Sequence, residues 1–354
     1  MNIKLLDLNL NILALIDDYE SLYYEQKYDD IGTCTLTISA FSENFKMINK
    51  NMILYLDKYN CWYIEEINIE NDIATITALN LSFIFSHRII LPPKNKTHLQ
   101  VANKLTGEIA KIFIDNSLIT SPYPHRNINM VFEGYNVGHK AIYESRYGNL
   151  FDEIQVLCKY SAIGFKVGID IINQHFICCI YEGRDMSEEI IFCELYDNID
   201  DIKINNSNSG YKNFLFIAGE GEGVDREIFQ MSNGKFNGFE LREDIIEVKP
   251  EKQTDEEGNE IPEDTSNIIE ISGLEFFENN CEKTSIEALV LNTEEEVEIG
   301  DIVTIISKNY GLQLTQRITE INVEYTKNTG KTIGIIVGNQ KPTLSFSEKT
   351  NTID

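Results

Sequence analysis

One seven-residue stretch occurs twice in this chain. Residues 64–70 read Ile64-Glu65-Glu66-Ile67-Asn68-Ile69-Glu70, and residues 318–324 read Ile318-Thr319-Glu320-Ile321-Asn322-Val323-Glu324. Apolar residues alternating with polar ones mark half-buried β-strands. Each copy sits second in a three-strand series. The first series covers 52–56, 62–69 and 73–78, and the second covers 302–306, 314–323 and 331–337. Hairpin-forming residues separate the strands, among them Asn71-Asp72 and Lys327-Asn328-Thr329-Gly330. A short match rich in Ile, Glu and Asn carries little weight alone. The shared strand order makes it a sign of duplication: two similar antiparallel β units near opposite ends of one chain. Two such copies do not make a solenoid, whose repeats recur every ~20–50 residues.

Composition narrows what those units can do. The 354 residues allow two or three domains, and 42% hydrophobic residues suffice for packed cores. Thirty basic residues against 57 acidic ones leave a net charge of −27. That balance argues against binding nucleic acid, whose phosphates need a cationic surface, and equally against docking on an anionic membrane. Seven cysteines are scattered at 34, 61, 158, 178, 179, 193 and 281 without a CxxC pair. They are expected to be reduced thiols used as small hydrophobes, with the adjacent Cys178 and Cys179 on opposite faces of a strand. Polar residues interrupt the first twenty positions, so no signal peptide is expected. No apolar run approaches the ~20 residues of a membrane helix.

Ahead of the first series, residues 33–39 alternate strictly, as a strand should. Between the two series the pattern changes. After Pro92-Pro93, Thr97-x-x-Gln100 reads as a capping box, and Val101, Leu105, Ile109, Ile112 and Phe113 follow at helical spacing. This predicts an amphipathic helix over 98–114. A second helix is predicted from Asn149 as N-cap, with Asp152 and Glu153 in its first turn and Gly164 as its stop. Strands over 165–171 and 175–181 follow, joined at Asn173-Gln174. Residues 205–210 read as a polar linker, 211–218 as a strand, and 245–248 with 268–271 as the arms of an acidic hairpin (244–269) with a charged tip at 252–263. A short helix capped by Ser272 and a strand over 284–292 lead into the second series. The chain is thus mainly β with an α+β insert. It divides into a first β domain (1–92), an α+β middle domain (93–204), a second β domain (205–342) and a polar tail (343–354).

No constellation of catalytic residues emerges. The five histidines (87, 98, 125, 139, 175) are isolated, without HExxH or HxH spacing. Gly219-x-Gly221-x-Gly223 lacks the Lys-Ser/Thr of a phosphate loop, and Glu220, Glu222 and Asp225 would repel phosphate. A strand end where glycine supplies a positive φ is the better account. The pairs Asp17-Asp18, Asp29-Asp30 and Asp200-Asp201 suit turns, and no calcium-loop spacing is present. No catalytic, cofactor-binding or metal residue is therefore assigned, and no cofactor is expected.

Several stretches in order resemble the phage tail hub family, the siphophage-type hubs related to baseplate hubs of contractile tails and bacteriocin particles. Tyr19-x-Ser21-Leu22, Tyr28 and Gly32-x-x-x-Leu36-Thr37-Ile38 resemble the opening strand pair. Trp62-Tyr63-Ile64-Glu65-Glu66-Ile67, followed by Leu81 to Arg88-Ile89, resembles the next block. Gly164-Phe165-Lys166-Val167 through Gly183-Arg184-Asp185 resembles the end of the middle domain. Tyr211-x-Asn213, Gly219-x-Gly221 and Arg226 resemble the start of the second β domain, and Gly300-Asp301-x-Val303 with Arg317-Ile318-Thr319-x-Ile321 closes the set. The set covers about residues 1–340. The acidic hairpin is not a fixed part of the pattern.

The resemblance implies two tube-type antiparallel, barrel-like β domains flanking the α+β domain. It further implies a homotrimer whose three copies make a pseudo-sixfold ring. Implied partners are a tail tube or distal tail ring protein and a central spike or tape-measure protein. The setting would be a tail tip or baseplate assembled in the bacterial cytoplasm, and no enzyme is expected. Two other classes compete: a β-rich receptor- or carbohydrate-binding tail protein, and a tail-associated cell-wall hydrolase.

Overall fold

The computed structural model describes residues 2–219, 221, 223–248, 253–254, 260–261, 265–290, 297–327, 330–338 and 345–347. The first seven strands are β1 (Ile3–Leu6), β2 (Ile12–Ile16), β3 (Ser21–Lys27), β4 (Thr33–Ser39), β5 (Ile53–Tyr55), β6 (Cys61–Glu70) and β7 (Ile73–Asn80). The middle of the chain holds β8 (Leu99–Leu105), α1 (Thr106–Ile114), β9 (Met130–Gly134), β10 (Lys140–Ser145), α2 (Leu150–Ser161), β11 (Gly164–Asp170) and β12 (His175–Tyr181). Then come β13 (Ile191–Cys193), β14 (Ile199–Ser207), β15 (Phe214–Ala218), β16 (Ile228–Ser232), β17 (Glu243–Glu247), β18 (Gln253–Thr254), β19 (Glu260–Ile261) and α3 (Thr265–Asn279). The chain closes with β20 (Lys283–Val290), β21 (Ile302–Ser307), β22 (Leu312–Thr326), β23 (Gly330–Gly338) and β24 (Ser345–Ser347). Strand predominates over helix, and the largest sheet is antiparallel along its main path.

That sheet runs β14-β20-β23-β22-β3-β4-β7-β6-β5-β1-β2, with β21 on β22 and β13 on β21. It contains the same five-strand arrangement twice. In the first unit β5 pairs β6, β6 pairs β7, β7 pairs β4 and β4 pairs β3. In the second, β21 pairs β22, β22 pairs β23, β23 pairs β20 and β20 pairs β14. Even the irregularity recurs. The β6–β7 register slips between Ile64 and Glu66, and the β22–β23 register slips between Ile318 and Glu320. Each slip is a bulge, with Glu65 in one copy and Thr319 in the other as the extra residue. The bulge explains why Ile64 and Ile67, three positions apart, both lean on the core, as do Ile318 and Ile321.

One apolar cluster spans both units, from Ile3, Leu22, Leu36, Trp62 and Ile76 to Ile286, Val303, Ile318, Ile335 and Val337. A second cluster joins α1, α2, β11 and β12 to the near face of the first unit through Phe85, Phe113, Ile154, Phe165 and Ile180. A third, smaller cluster holds α3 against β15 and β16 through Leu215, Ile217, Met231, Ile269 and Phe277.

Local expectations fared unevenly. Helix α2 starts where predicted, with the Asn149 side chain accepting from the Phe151 N–H. Its left-handed end falls on Ala162 at φ +50°, and Gly164 instead opens β11. The helix predicted over 98–114 begins as strand β8, because residues 99–105 pair with the distant β10. Only Thr106–Ile114 is helical, and the first-turn contact is Glu108 accepting from the Leu105 N–H. Residues 205–207, read as linker, extend β14, and Asp200-Asp201 lies inside that strand rather than in a turn. Residues 268–271, read as a hairpin arm, belong to α3, so the 244–269 hairpin is not formed as expected. β17 pairs in parallel with β15 instead, and β18 pairs antiparallel with β19. The helix around Ser272 exists but starts seven residues earlier. Most of the 252–263 tip lies outside the described residues. Among the described residues no cysteine forms a disulfide, and Cys178 is buried and Cys179 half-buried on opposite faces of β12.

Candidate functional site: the junction of the two β units

Gly164, Gly183, Gly300 and Arg317 of the sequence motifs converge on Tyr28, which follows β3, with Arg184 and Asp301 beside them. Its N–H donates to the carbonyl of Thr319, the bulge residue of the second unit, at 3.1 Å. Its carbonyl accepts from Phe165 of β11, also at 3.1 Å. Its hydroxyl donates towards the carbonyls of Ala162 (3.1 Å) and Tyr181 (3.3 Å) and accepts from the Gly183 N–H at 3.2 Å. One buried residue thus ties the first unit, the middle segment and the second unit together. Burial pushes its phenol up to about 12, against the opposing pull of Arg317. The Arg317 guanidinium lies over the ring at 4.8 Å, and Tyr181 meets it edge-on at 5.4 Å.

The motif glycines are spaces for that ring and for backbone. A Cβ on Gly164 or on Gly300 would stand 2.4 Å from a Tyr28 ring carbon, and one on Gly183 would stand 1.7 Å from the Gly300 carbonyl oxygen. Gly300 also has φ +96°, a conformation that side-chain-bearing residues avoid. Beside it, Arg184 grips the buried Asp301 with two parallel bonds, at 2.9 Å and 2.5 Å. The Asp301 carboxylate also accepts from the Glu298 N–H at 2.9 Å, and its own carbonyl accepts from Ile318 at 2.8 Å. These bonds hold Arg184, β21 and the start of the repeated stretch in fixed relation.

From this junction the two units join edge to edge. β22 pairs antiparallel with β3 in the register Glu320↔Lys27, Val323↔Tyr24 and Thr326↔Ser21. Lys27 reaches Glu320 at 3.8 Å, and the Tyr23 hydroxyl donates to Asn322 at 3.1 Å. Outside the two units, Asn213 is fully buried just ahead of β15. It accepts from the Arg242 N–H (2.7 Å) and donates to the Glu240 carbonyl (2.8 Å), which accounts for a polar residue at that buried position.

The sequence assigned no catalytic or ligand-binding residue. Among the described residues, no group of three or more His, Cys, Asp or Glu is placed to hold a metal ion. His87 packs edge-on against Phe83, and His175 stands 3.9 Å from Asp170. Gly219 follows the end of β15, with Gly221 and Gly223 at φ +95° and +59°, as expected of a strand end. Trp62 is buried against Tyr24 at 4.9 Å and offers no surface to a ligand. No helix is long and apolar enough to cross a membrane among the described residues. The central role of Tyr28 was not legible, because its partners lie more than a hundred positions away. Sequence reasoning missed the bulge, because residues 64–70 read as a simple alternating strand; the signal for it is the three-residue step from Ile64 to Ile67, which breaks strict alternation.

Solved structures of phage tail proteins share this architecture. The 43 kDa tail protein of prophage MuSo2 from Shewanella oneidensis superposes with a TM-score of 0.61 at 13% identity, covering 96% of this chain and 98% of that one. A tail protein from Neisseria meningitidis MC58 gives 0.58 at 10% identity, covering 95% of each chain. Prophage tail protein gp18 from Listeria monocytogenes EGD-e gives 0.55 at 14% identity, covering 97% and 96%. The fold is therefore that of a phage tail protein. The chain belongs to the family described as Siphovirus ReqiPepy6 Gp37-like protein, which matches residues 2–339. No curated protein matches the sequence.

Proposed function

We propose that this tail protein is a structural hub subunit, three copies of which form a pseudo-sixfold ring that joins a hexameric tail tube to a central spike. The observation that carries this reading is the repeated five-strand unit with its repeated bulge. Three chains with two such units each present six similar surfaces to a sixfold tube while keeping threefold symmetry for a spike. The pairing of β22 with β3 is head-to-tail, the kind of contact that generates rings. Partners on this reading are further copies of the chain, a tail tube or distal tail ring protein, and a spike or tape-measure protein. Assembly would occur in the bacterial cytoplasm. The division into 1–92, 93–204 and 205–342 is kept, although β13 and β14 pair with strands of the second unit. The chain acts without catalysis or cofactor and binds neither nucleic acid nor membrane. Its charge of −27 suits a channel through which DNA slides without adhering.

Light scattering behind a sizing column tests the reading. A particle three times the 40.6 kDa chain supports it. A monomer that persists when the tube and spike partners are added overturns it. Clearing of peptidoglycan in a zymogram would overturn the non-catalytic role.

A further inference from the structure

The repeat supplies a prediction about which edges meet between copies. Pairings across the two units align Ile64 with Ile318, Ala78 with Val337, Cys34 with Ile286 and Tyr24 with Ile204. In the second unit, the far half of the repeated strand is covered by β3, and Val323 is 4% exposed. In the first unit, nothing among the described residues pairs with the same edge of β6 beyond Ile64, and the equivalent Ile69 is 61% exposed. The equivalent of β3 is β14, which ends the sheet and among the described residues pairs only with β20. One chain therefore carries an open donor edge and an open acceptor edge of a junction that it already makes once internally. An apolar residue exposed on a strand edge is a site for adding another strand.

The geometry points to an intermolecular sheet in which β6 of one copy pairs antiparallel with β14 of the next, in the register of β22 on β3. This rests on the ring reading above and specifies its contact. Transferring the internal register sets Asn68 opposite Asn205, Ile69 opposite Ile204 and Glu70 opposite Lys203. The transferred pairs are chemically matched. Ile69 would be covered by the half-buried Ile204, as Val323 is by Tyr24, and Glu70 would meet the amino group that already reaches Glu287 at 3.1 Å.

The test is a cysteine pair, Asn68→Cys with Asn205→Cys in one chain, oxidised and run on a non-reducing gel alongside light scattering. A displaced control, Glu66→Cys with Lys203→Cys, moves the pair four residues out of register, about 13 Å. Dimer and trimer ladders from the first pair alone, with the 68–205 peptide found by mass spectrometry, are expected. A trimer that fails to cross-link at 68–205, or cross-links equally in the control, overturns this pairing and leaves the hub reading standing. A chain that stays monomeric and uncross-linked at every concentration overturns it as a contact the chain makes by itself. The hub reading is then decided by the mixture with the tube and spike partners. Because side-chain exposure at 69 is already high in the single chain, Ile69→Lys is expected to stay folded, with the wild-type circular-dichroism spectrum, and to lose the trimer. Retention of the trimer in that variant overturns the pairing as well.

Discussion

Tyr28 shows how one side chain can set the needs of several others. Its ring occupies the space where Gly164 and Gly300 lack a Cβ, so those glycines are required by a residue far away in the chain. Gly300→Ala adds both a clash with the ring and a disfavoured φ, and is expected to cost about 2–4 kcal/mol. Urea denaturation checks this. A loss below about 1 kcal/mol would mean that the ring moves aside. Asp29, next to Tyr28, tests the electrostatics of the same corner. Burial raises its carboxyl above the ordinary value, with Lys159 opposing. A raised acid binds its proton more tightly when folded, so its charge destabilises the fold above the folded pKa, and the penalty fades as pH falls towards about 4. Asp29→Asn is therefore expected to raise the melting temperature at pH 7 and to have no effect near pH 3.5. A gain that is equal at both pH values would refute the burial account.

At the scale of elements, the two copies of the repeated strand have different surroundings despite similar sequences. Ile321 is 4% exposed beneath β3, whereas Ile67 is only half-buried on the open edge. Ile321→Asp places a charge in the shared core and is expected to abolish soluble expression. Ile67→Asp, which a sequence-based view would treat as equally harmful, is expected to leave a folded chain with a lowered melting temperature. Equal soluble yields for the two variants would contradict the difference in cover. Strand β8 and helix α3 make the same point from the other side. Val101, Leu105 and Ile109 fit helical spacing, but the hydrogen bonds available from β10 turn the first half of that stretch into a strand. No local pattern could announce a partner forty residues away. Likewise the apolar residues at 268–271 suited a hairpin arm until α3 carried Ile269 onto β15 and β16.

Across the whole molecule, the apolar cluster that runs through both β units makes them one folding unit, although they lie at opposite ends of the chain. Hydrogen exchange is expected to show β4, β7, β20 and β23 opening together at the global free energy. β16 and β17, held by the small third cluster, should exchange earlier. Independent opening of β4 and β20 would show that the shared core does not couple the units. By itself the sequence determined the mainly β character, the two three-strand series and the helix from Asn149, because alternation, turn residues and caps act over a few positions; the phage tail family was legible separately, through the resemblance of an ordered set of motifs. The spacing of Ile64 and Ile67 held a cue to the bulge, but reading the stretch as an alternating strand passed over it. The tertiary structure alone decided that β3 covers one copy of the repeated strand and leaves the other open, and that distant motifs meet at Tyr28. Strand edges are satisfied by whatever the fold brings alongside them, and that neighbour is set by packing between distant segments rather than by the pattern within any one of them.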